Sequence, residues 1–300
     1  MIQSLADAKR PLNLQRTVLI LQAAMVAAMS LLILSRGKLP GWDMVGLALL
    51  TLLLWVMGDR MKILDFSPYL LIFCTYEVIR SVILAVGTDG VHVTDLIAWE
   101  QALCAGILPA SALQQAWSST AYTWLVDLVA NGFYMTHFFS VIAMGFILWL
   151  KRRAHYWPFI IGLFVLSYSG FLTYVVFPAA PPWWASMNGY LDGRPVNLEH
   201  SLLSPDHIFA TANALGALPS LHTAWPFYLF FYALFVWGRK AMPVLILPIG
   251  VAVSSIYLGH HYLVDILAGV AYAAVVYGIL IRWMKTRWAV RESAGSLVAA

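Results

Sequence analysis

Two short motifs contain the residue types needed for nucleophilic and acid–base chemistry. Pro219–His222 has the sequence Pro-Ser-Leu-His, and His260–Asp265 has the sequence His-His-Tyr-Leu-Val-Asp. Asp265 follows His261 by four residues, so the two side chains share one face of a helix. A carboxylate placed there holds one imidazole N–H and leaves the other ring nitrogen free as a nucleophile or base. For one such pair alone, a polar patch satisfied by water at the membrane interface is the competing interpretation.

Metal binding is another interpretation of the same histidines and aspartate. Their spacing matches neither the HExxH pattern nor the Cys/His patterns of known zinc sites. The two cysteines, Cys74 and Cys104, form no metal or redox motif, and Cys74 falls inside an apolar run. We therefore predict that the site uses no metal and no cofactor.

The composition indicates a membrane protein. The 300 residues are 61% hydrophobic and 11% charged, whereas a soluble domain is about a quarter charged. A bilayer core of about 30 Å requires roughly 20 apolar residues in a helix. This window predicts an all-α polytopic transmembrane bundle of about eight spans: Thr17–Ser35, Trp42–Gly58, Ser67–Val86, Tyr122–Leu150, Tyr156–Phe177, Leu221–Trp237, Ala241–Leu258 and Tyr262–Trp283.

The distribution of Lys and Arg predicts the orientation, because cytoplasmic loops collect positive charge. Most of the basic residues fall in every second connection if the N-terminus is inside. Both termini are then cytoplasmic, and His222, His260 and His261 all lie at the non-cytoplasmic face. Because the basic residues are divided among several loops, the sequence does not predict a nucleic-acid partner.

Two long loops lie on the outer side in this topology. Residues 87–121 carry no Lys or Arg and contain two short helical segments, Thr94–Ala105 and Pro109–Trp117. We expect both segments to lie in the membrane interface, anchored by tryptophans. The second loop, Pro178–Pro219, is rich in Pro, Gly, Asn and Trp, and binding groups often lie on such loops.

Several segments in order resemble a known family. Gly216–His222 resembles the second signature of the type 2 phosphatidic acid phosphatase superfamily, and Ser254–Asp265 resembles its third. Phe177–Trp183 resembles a segment of the inositol-phosphorylceramide synthase branch. Further segments of that branch resemble Tyr76–Arg80 and Tyr134–Phe138. The resemblance implies a six-helix phosphatase-like core.

The resemblance also implies a mechanism. His261 would attack phosphorus to form a phosphohistidine, Asp265 would orient it, and His222 would protonate the departing oxygen and then activate the acceptor. The donor would be a phospholipid. The acceptor would be water in a phosphatase and a lipid alcohol in a synthase.

Two departures from the phosphatase pattern favour a transferase over a hydrolase. The first signature, a Lys followed by Arg-Pro, is not visible, and Ser255 stands where the phosphatases carry an Arg. Those cations neutralise phosphate oxygens, which is a large catalytic contribution. The synthase branch also lacks the Arg of the third signature. A lipid phosphate or pyrophosphate phosphatase remains the alternative enzyme.

Arg80 is our candidate for the missing positive charge. It lies in the outer half of the third predicted span. Inserting an Arg at the centre of a membrane helix costs roughly 2.5–3.5 kcal/mol, so an Arg within a span suggests a functional role. Tyr76 and Glu77 lie one turn earlier and can partner it; a structural Arg–Glu pair is the alternative. The complete set of phosphate- or substrate-binding candidates is Tyr76, Arg80, His137, Ser220, Tyr257 and His260.

A polar stripe runs along the fourth span. Asp127, Asn131, Tyr134 and His137 recur at helical spacing and share one face. His137 contacts either the substrate phosphate or a neighbouring helix in this interpretation. Arg194, in the second outer loop, is a weaker phosphate-binding candidate. The remaining histidines show no partner spacing and are interpreted as loop or interface residues: His92, His155, His200 and His207.

Two other classes of function compete with the enzyme. A transporter would use the intramembrane Arg, Glu, Asp and His as an ion relay, but the chain shows no inverted repeat or paired broken helices. An inactive lipid-binding scaffold would not require His222, His261 and Asp265 together.

We divide the chain into a two-span extension (1–66), a catalytic transmembrane domain (67–283) and a cytoplasmic tail (284–300).

Overall fold

The computed structural model describes residues 65–69, 71–76, 79, 90–118, 120–191, 196–201 and 215–298, together with Ala24. Side chains are described as far as residue 286. Within these ranges the chain is helical and has no strand, which confirms the all-α prediction for this part. The predicted spans Thr17–Ser35 and Trp42–Gly58 lie outside the described residues, and Ser67–Val86 is described only in part.

Residues 65–69 and 71–76 are helical, and two short helices lie between them and the long helices. Helix α1 spans Thr94–Leu103, and α2 spans Pro109–Trp117 and begins with proline at its first position, where the missing N–H costs nothing. The long helices α3 (Thr123–Lys151) and α4 (Arg153–Val176) follow, separated by the single residue Arg152. The short helix α5 spans Pro182–Met187.

The C-terminal helices contain both histidine motifs. Helix α6 spans Leu221–Trp237, α7 spans Ile246–Tyr257 and α8 spans Leu263–Val298. A 3-10 segment, Gly238–Leu245, joins α6 to α7. A straight helix over Leu221–Tyr257 would separate its ends by about 55 Å. However, His222 and His261 are in contact, so α6 and α7 form a hairpin that reverses at the 3-10 segment.

Four stretches of the described chain are long and apolar enough to cross a membrane: Thr123–Lys151, Arg153–Val176, Leu221–Tyr257 and Leu263–Thr286. Their outward-facing side chains are apolar, including Leu128, Phe139, Leu172 and Ile279. Exposed apolar surface on α3, α4, α7 and α8 is the pattern expected of lipid-facing helices. The chain is therefore an integral membrane protein.

The bundle core is aromatic, and its buried tyrosines are satisfied across helices. The hydroxyl of Tyr228 donates to the carbonyl of Phe159 at 3.0 Å, and that of Tyr232 donates to the carbonyl of His155 at 2.9 Å. Tyr174 on α4 donates to the carbonyl of Pro219 at 2.8 Å. These bonds fix α4 against α6 because a buried hydroxyl is costly to leave unpaired.

The extended segments beside the helix ends are joined by backbone hydrogen bonds. The amide of His92 donates to Pro178 at 2.8 Å, and that of Ala180 donates to His92 at 3.0 Å. Ala179 in turn exchanges hydrogen bonds with Leu215 and Ala217, each at 3.0 Å. The chain before α1, the chain after α4 and the chain before α6 therefore form one framework around the first turn of α6.

Candidate active site

The first turn of α6 is fixed by Ser220. Its hydroxyl accepts the amide N–H of Thr223, as an N-cap residue does. Its own amide donates to the carbonyl of Asp265 on α8 at 3.0 Å. This bond connects the start of α6 directly to the first turn of α8, so His222 is held next to the second motif.

His260 and His261 lie in the turn between α7 and α8. Gly259 has φ +73°, and a Cβ there would overlap the Val196 side chain, so both conformation and space require glycine. The carbonyl of Ser255 accepts the amides of His260 at 2.9 Å and His261 at 3.2 Å. The turn thus places both histidines through backbone atoms.

Two carboxylates satisfy the amides at the start of α8. Oδ2 of Asp265 accepts the N–H of Tyr262 at 2.8 Å. The side chain of Glu100, on α1, accepts the N–H of Leu263 at 2.9 Å and that of Val264 at 3.1 Å. Negative groups at this end of a helix are stabilised by its dipole. Burial nevertheless raises the pKa of the Glu100 carboxyl above its ordinary value.

The two motifs meet at the paired histidines. Nδ1 of His222 lies 2.8 Å from Nε2 of His261, and Nδ1 of His261 lies 3.5 Å from Oδ2 of Asp265. The side chains of His261 and Asp265 are 3% and 0% exposed. The carboxylate contact is longer than a good hydrogen bond, and such contacts in a site without substrate often tighten when the substrate binds.

Three more rings surround His222. The Tyr134 hydroxyl on α3 is 3.0 Å from Nε2 of His222, and the His137 ring packs edge-on against His222 with centroids 4.4 Å apart. His260 stacks on Tyr134 with centroids 4.6 Å apart. Burial is the main cause that lowers the pKa of His260, to about 3, so His260 is neutral at pH 7. The imidazoles of His137, His222, His260 and His261 therefore come together where α3, α6 and the α7–α8 turn meet.

The paired imidazoles, and the carboxylate behind one of them, come from Gly216–His222 and Ser254–Asp265. These are the two segments that resemble family signatures in the sequence. A family model described as the PAP2 superfamily matches residues 94–279, more than half of the chain. The chain belongs to the PAP2 superfamily. The membership confirms the resemblance on which the sequence interpretation was based.

Two named proteins are similar in sequence to this PAP2-superfamily protein. It is 31% identical over 166 residues to the phosphoinositol dihydroceramide synthase of Bacteroides thetaiotaomicron, a match that covers 50% of this chain and 54% of the relative. It is 24% identical over 184 residues to the inositol phosphorylceramide synthase catalytic subunit aur1 of Schizosaccharomyces pombe, covering 57% and 44%. The chain thus spans about half the length of these relatives. No solved structure matches it.

The other residues singled out in the sequence lie in different surroundings. Ser220 is fully buried and its hydroxyl caps α6. The Tyr257 hydroxyl donates to Oδ1 of Asp127 at 2.6 Å, away from the paired histidines. Tyr76 is half-buried, with its ring centroid 6.0 Å from that of Phe171. Some candidates lie outside the described residues: Glu77, Arg80, Arg194 and His207.

The polar stripe on α3 divides into two parts. Tyr134 and His137 face His222, whereas Asp127 and Asn131 face His200. Nδ1 of His200 lies 3.0 Å from Oδ1 of Asp127, and Asn131 donates to the carbonyl of His200 at 2.8 Å. The sequence interpretation of His200 as a loop histidine without a partner is therefore corrected: it anchors the second outer loop to α3.

Glu100 and Gln114 are site-supporting residues that the sequence interpretation missed. Gln114, on α2, donates to the carbonyls of Asn197 at 3.0 Å and Tyr257 at 2.8 Å. It therefore joins the second outer loop to the end of α7. The only signal for either residue is a polar side chain in a short helix otherwise suited to an interface, and that signal does not specify a partner.

Basic residues lie at the opposite end of the bundle from the histidines. Within the part of the chain whose side chains are described, every Lys and Arg falls at that end: Lys151, Arg152, Arg153, Arg239, Lys240, Arg282 and Lys285. Helix α6 alone separates His222 from Arg239 by about 25 Å. Among the described residues, no group of three or more His, Cys, Asp or Glu side chains is placed to hold a metal ion.

Proposed function

We propose that the protein is a membrane lipid phosphotransferase that moves a phosphoinositol-like headgroup from a phospholipid to a lipid alcohol. The observation that carries the proposal is the contact between His222 and His261, with Asp265 behind His261. The relatives, named as synthases of phosphoinositol dihydroceramide and inositol phosphorylceramide, support the choice of headgroup and of a sphingoid-type alcohol as acceptor.

In the first half-reaction, Nε2 of His261 attacks the phosphorus of the donor. The bond from phosphorus to the diacylglycerol oxygen breaks, and His222 supplies a proton to that oxygen from Nδ1. Asp265 holds the N–H at Nδ1 of His261 and stabilises the positive charge that develops on the ring. The products are diacylglycerol and a phospho-headgroup bonded to His261.

In the second half-reaction, the acceptor hydroxyl replaces diacylglycerol. His222 takes the hydroxyl proton at Nδ1, and the oxygen attacks phosphorus as the bond to His261 breaks. The entering donor must first separate the two imidazoles, because their 2.8 Å contact leaves no space for a phosphoryl group. General acid–base help of this kind contributes typically about 10²–10⁴-fold.

The phosphate oxygens also need positive charge, and Ser255 does not provide it. Ser255 is fully buried, and its hydroxyl donates within α7 to the carbonyl of Val251 at 2.8 Å. We propose that Arg80 supplies the charge and that Tyr76 and His137 also bind the phosphate or headgroup. The absence of an Arg at position 255 favours transfer to an alcohol over hydrolysis.

The proposal includes an orientation. Lys and Arg of the described helices lie at the end opposite the histidines, and such residues favour the cytoplasmic side. The active site then faces the non-cytoplasmic side, and both termini are cytoplasmic. In this arrangement residues 67–283 form the catalytic domain, 1–66 a two-span extension and 284–300 a cytoplasmic tail.

The test is a transfer assay with the purified full-length chain in lipid micelles. Phosphatidylinositol with a labelled phosphate is supplied with a ceramide acceptor, and the products are separated as lipid and water-soluble fractions. We expect the label in a new lipid that depends on both the acceptor and His261. Labelled inositol phosphate released without regard to acceptor would show hydrolysis, with water as the acceptor, in place of transfer to a lipid, and no labelled product with any phospholipid or lipid phosphate would overturn both enzyme assignments.

A further inference from the structure

Tyr134 lies at the far side of His222 from the nucleophile. Its hydroxyl is 3.0 Å from Nε2 of His222, while Nδ1 of the same ring faces His261. Its ring is held independently, stacked on His260, and its carbonyl lies 2.5 Å from Nδ1 of His137. Tyr134 therefore continues a chain that runs from Asp265 through His261 and His222.

The directions of the two hydrogen bonds of His222, to His261 and to Tyr134, follow from the carboxylate at the end of the chain. Oδ2 of Asp265 already accepts the N–H of Tyr262, so it presents lone pairs to His261. Nδ1 of His261 then carries the hydrogen, and its Nε2 is an acceptor. His222 must consequently donate from Nδ1 to Nε2 of His261.

The remaining nitrogen of His222, Nε2, faces the Tyr134 hydroxyl. A neutral imidazole has one N–H, and His222 uses it at Nδ1. Its Nε2 is therefore an acceptor, and the Tyr134 hydroxyl donates to it. The side chains thus fix a single tautomer for both histidines, with the nucleophilic lone pair of His261 directed at the acidic proton of His222.

In this tautomer His222 has only one proton to give. If neutral His222 gives its only proton to the leaving oxygen, an imidazolate remains, which is a strongly basic and unfavourable species. We propose that Tyr134 is a proton relay: it passes its hydroxyl proton to Nε2 of His222 as the Nδ1 proton moves to the diacylglycerol oxygen. His222 then ends the first half-reaction as the neutral opposite tautomer, and Tyr134 ends it as a tyrosinate.

The second half-reaction reverses both transfers. The acceptor hydroxyl gives its proton to Nδ1 of His222, and the Nε2 proton returns to Tyr134. No proton is exchanged with solvent over the cycle, and no co-reactant beyond donor and acceptor is required. The inference rests on the proposed function, since it assigns Tyr134 a task within that reaction, and Tyr134 acts through His222 without contacting the reacting atoms.

The test compares two donors in Tyr134→Phe, which removes the hydroxyl and keeps the ring. A phosphatidylinositol donor needs its leaving oxygen protonated, whereas p-nitrophenyl phosphoinositol releases a stable anion. With the phospholipid we expect the steady-state rate to fall by about 10²-fold. With the nitrophenyl donor we expect the rate of the first-turnover burst to stay within about threefold of wild type, because that step needs little acid catalysis.

A matched control comes from Tyr272, whose hydroxyl bonds Thr173 at 2.8 Å between α8 and α4. Tyr272→Phe should leave both rates near wild type. Equal loss with both donors in Tyr134→Phe would show a structural role and overturn the relay, as would no loss with either. If the wild-type protein itself transfers nothing from either donor, the proposed function fails, which is distinguishable from failure of the relay alone.

Discussion

Replacing Gly269 with alanine should push α8 away from the first turn of α6 and so disturb the contact between His222 and His261. Gly269 lies one turn after Asp265 on α8 and faces the first turn of α6. A Cβ at this position would overlap the carbonyl oxygen of Ser220 and lie 3.3 Å from the carbonyl carbon of Ser220 and 3.5 Å from the amide nitrogen of Ala224. All three are backbone atoms, so a change of rotamer cannot relieve the overlap.

The expected loss of activity and stability follows from how far the Ser220 carbonyl must move. The Ser220 oxygen must retreat by about 1 Å to reach van der Waals distance. Ser220 is two residues from His222, and its amide bonds Asp265, so the shift acts directly on the 2.8 Å contact between His222 and His261. A misplacement of about 1 Å can cost roughly 10²-fold in rate, and overpacking of this kind costs about 1–3 kcal/mol of stability.

The assay measures steady-state headgroup transfer and the melting temperature in detergent for Gly269→Ala and Gly278→Ala. A Cβ at Gly278, on the same helix, has no atom within 4 Å, and both variants gain the same helix propensity of about 1 kcal/mol. We expect loss of transfer in the first variant only. Wild-type transfer by Gly269→Ala, or an equal loss in Gly278→Ala, would refute the packing argument.

Three further predictions concern the carboxylates and the loop anchor. Asp265→Asn should lower transfer by roughly 10²–10⁴-fold while preserving the fold, measured by rate and melting temperature together. Because burial raises the pKa of Glu100, its ionisation costs stability as pH rises from about 4.3 through the folded pKa. Glu100→Gln should therefore melt progressively higher relative to wild type across that range, whereas Glu100→Ala should lose about 1–3 kcal/mol by leaving two amides unpaired. His200→Ala should cost about 1–3 kcal/mol but reduce transfer less than tenfold, since it contacts no reacting atom; abolished transfer with an unchanged melting temperature would contradict this.

The sequence predicted the helices well where hydrophobicity alone determines them. The predicted span Tyr122–Leu150 corresponds to α3 at Thr123–Lys151, and Leu221–Trp237 matches α6. Long apolar runs bounded by charges leave few alternatives. The predicted span Ala241–Leu258 is shorter in the structure, because Gly238–Leu245 forms the 3-10 segment that reverses the chain and only Ile246–Tyr257 is α-helical.

The candidate site was predictable only where the spacing is local. The helical stripe containing Tyr134 could be derived from periodicity. His261 and Asp265 are close, as their short separation suggests, but His261 lies in the turn before α8 and does not share a helix face with Asp265. The contact of Glu100 with the first turn of α8 could not, because it joins residues 163 positions apart through backbone amides. The pairing of His200 with Asp127, 73 positions away, depends in the same way on how a loop returns to the bundle.

The central claim is a covalent intermediate on His261, and trapping that intermediate tests it most directly. The purified chain is mixed with phosphatidylinositol labelled at phosphorus, quenched in alkali within one turnover and digested for peptide mapping. We predict one acid-labile, alkali-stable phosphoinositol adduct on His261, which disappears when ceramide is added and is absent in His261→Asn. Formation of the labelled lipid product at the wild-type rate without any adduct on His261 would contradict the mechanism.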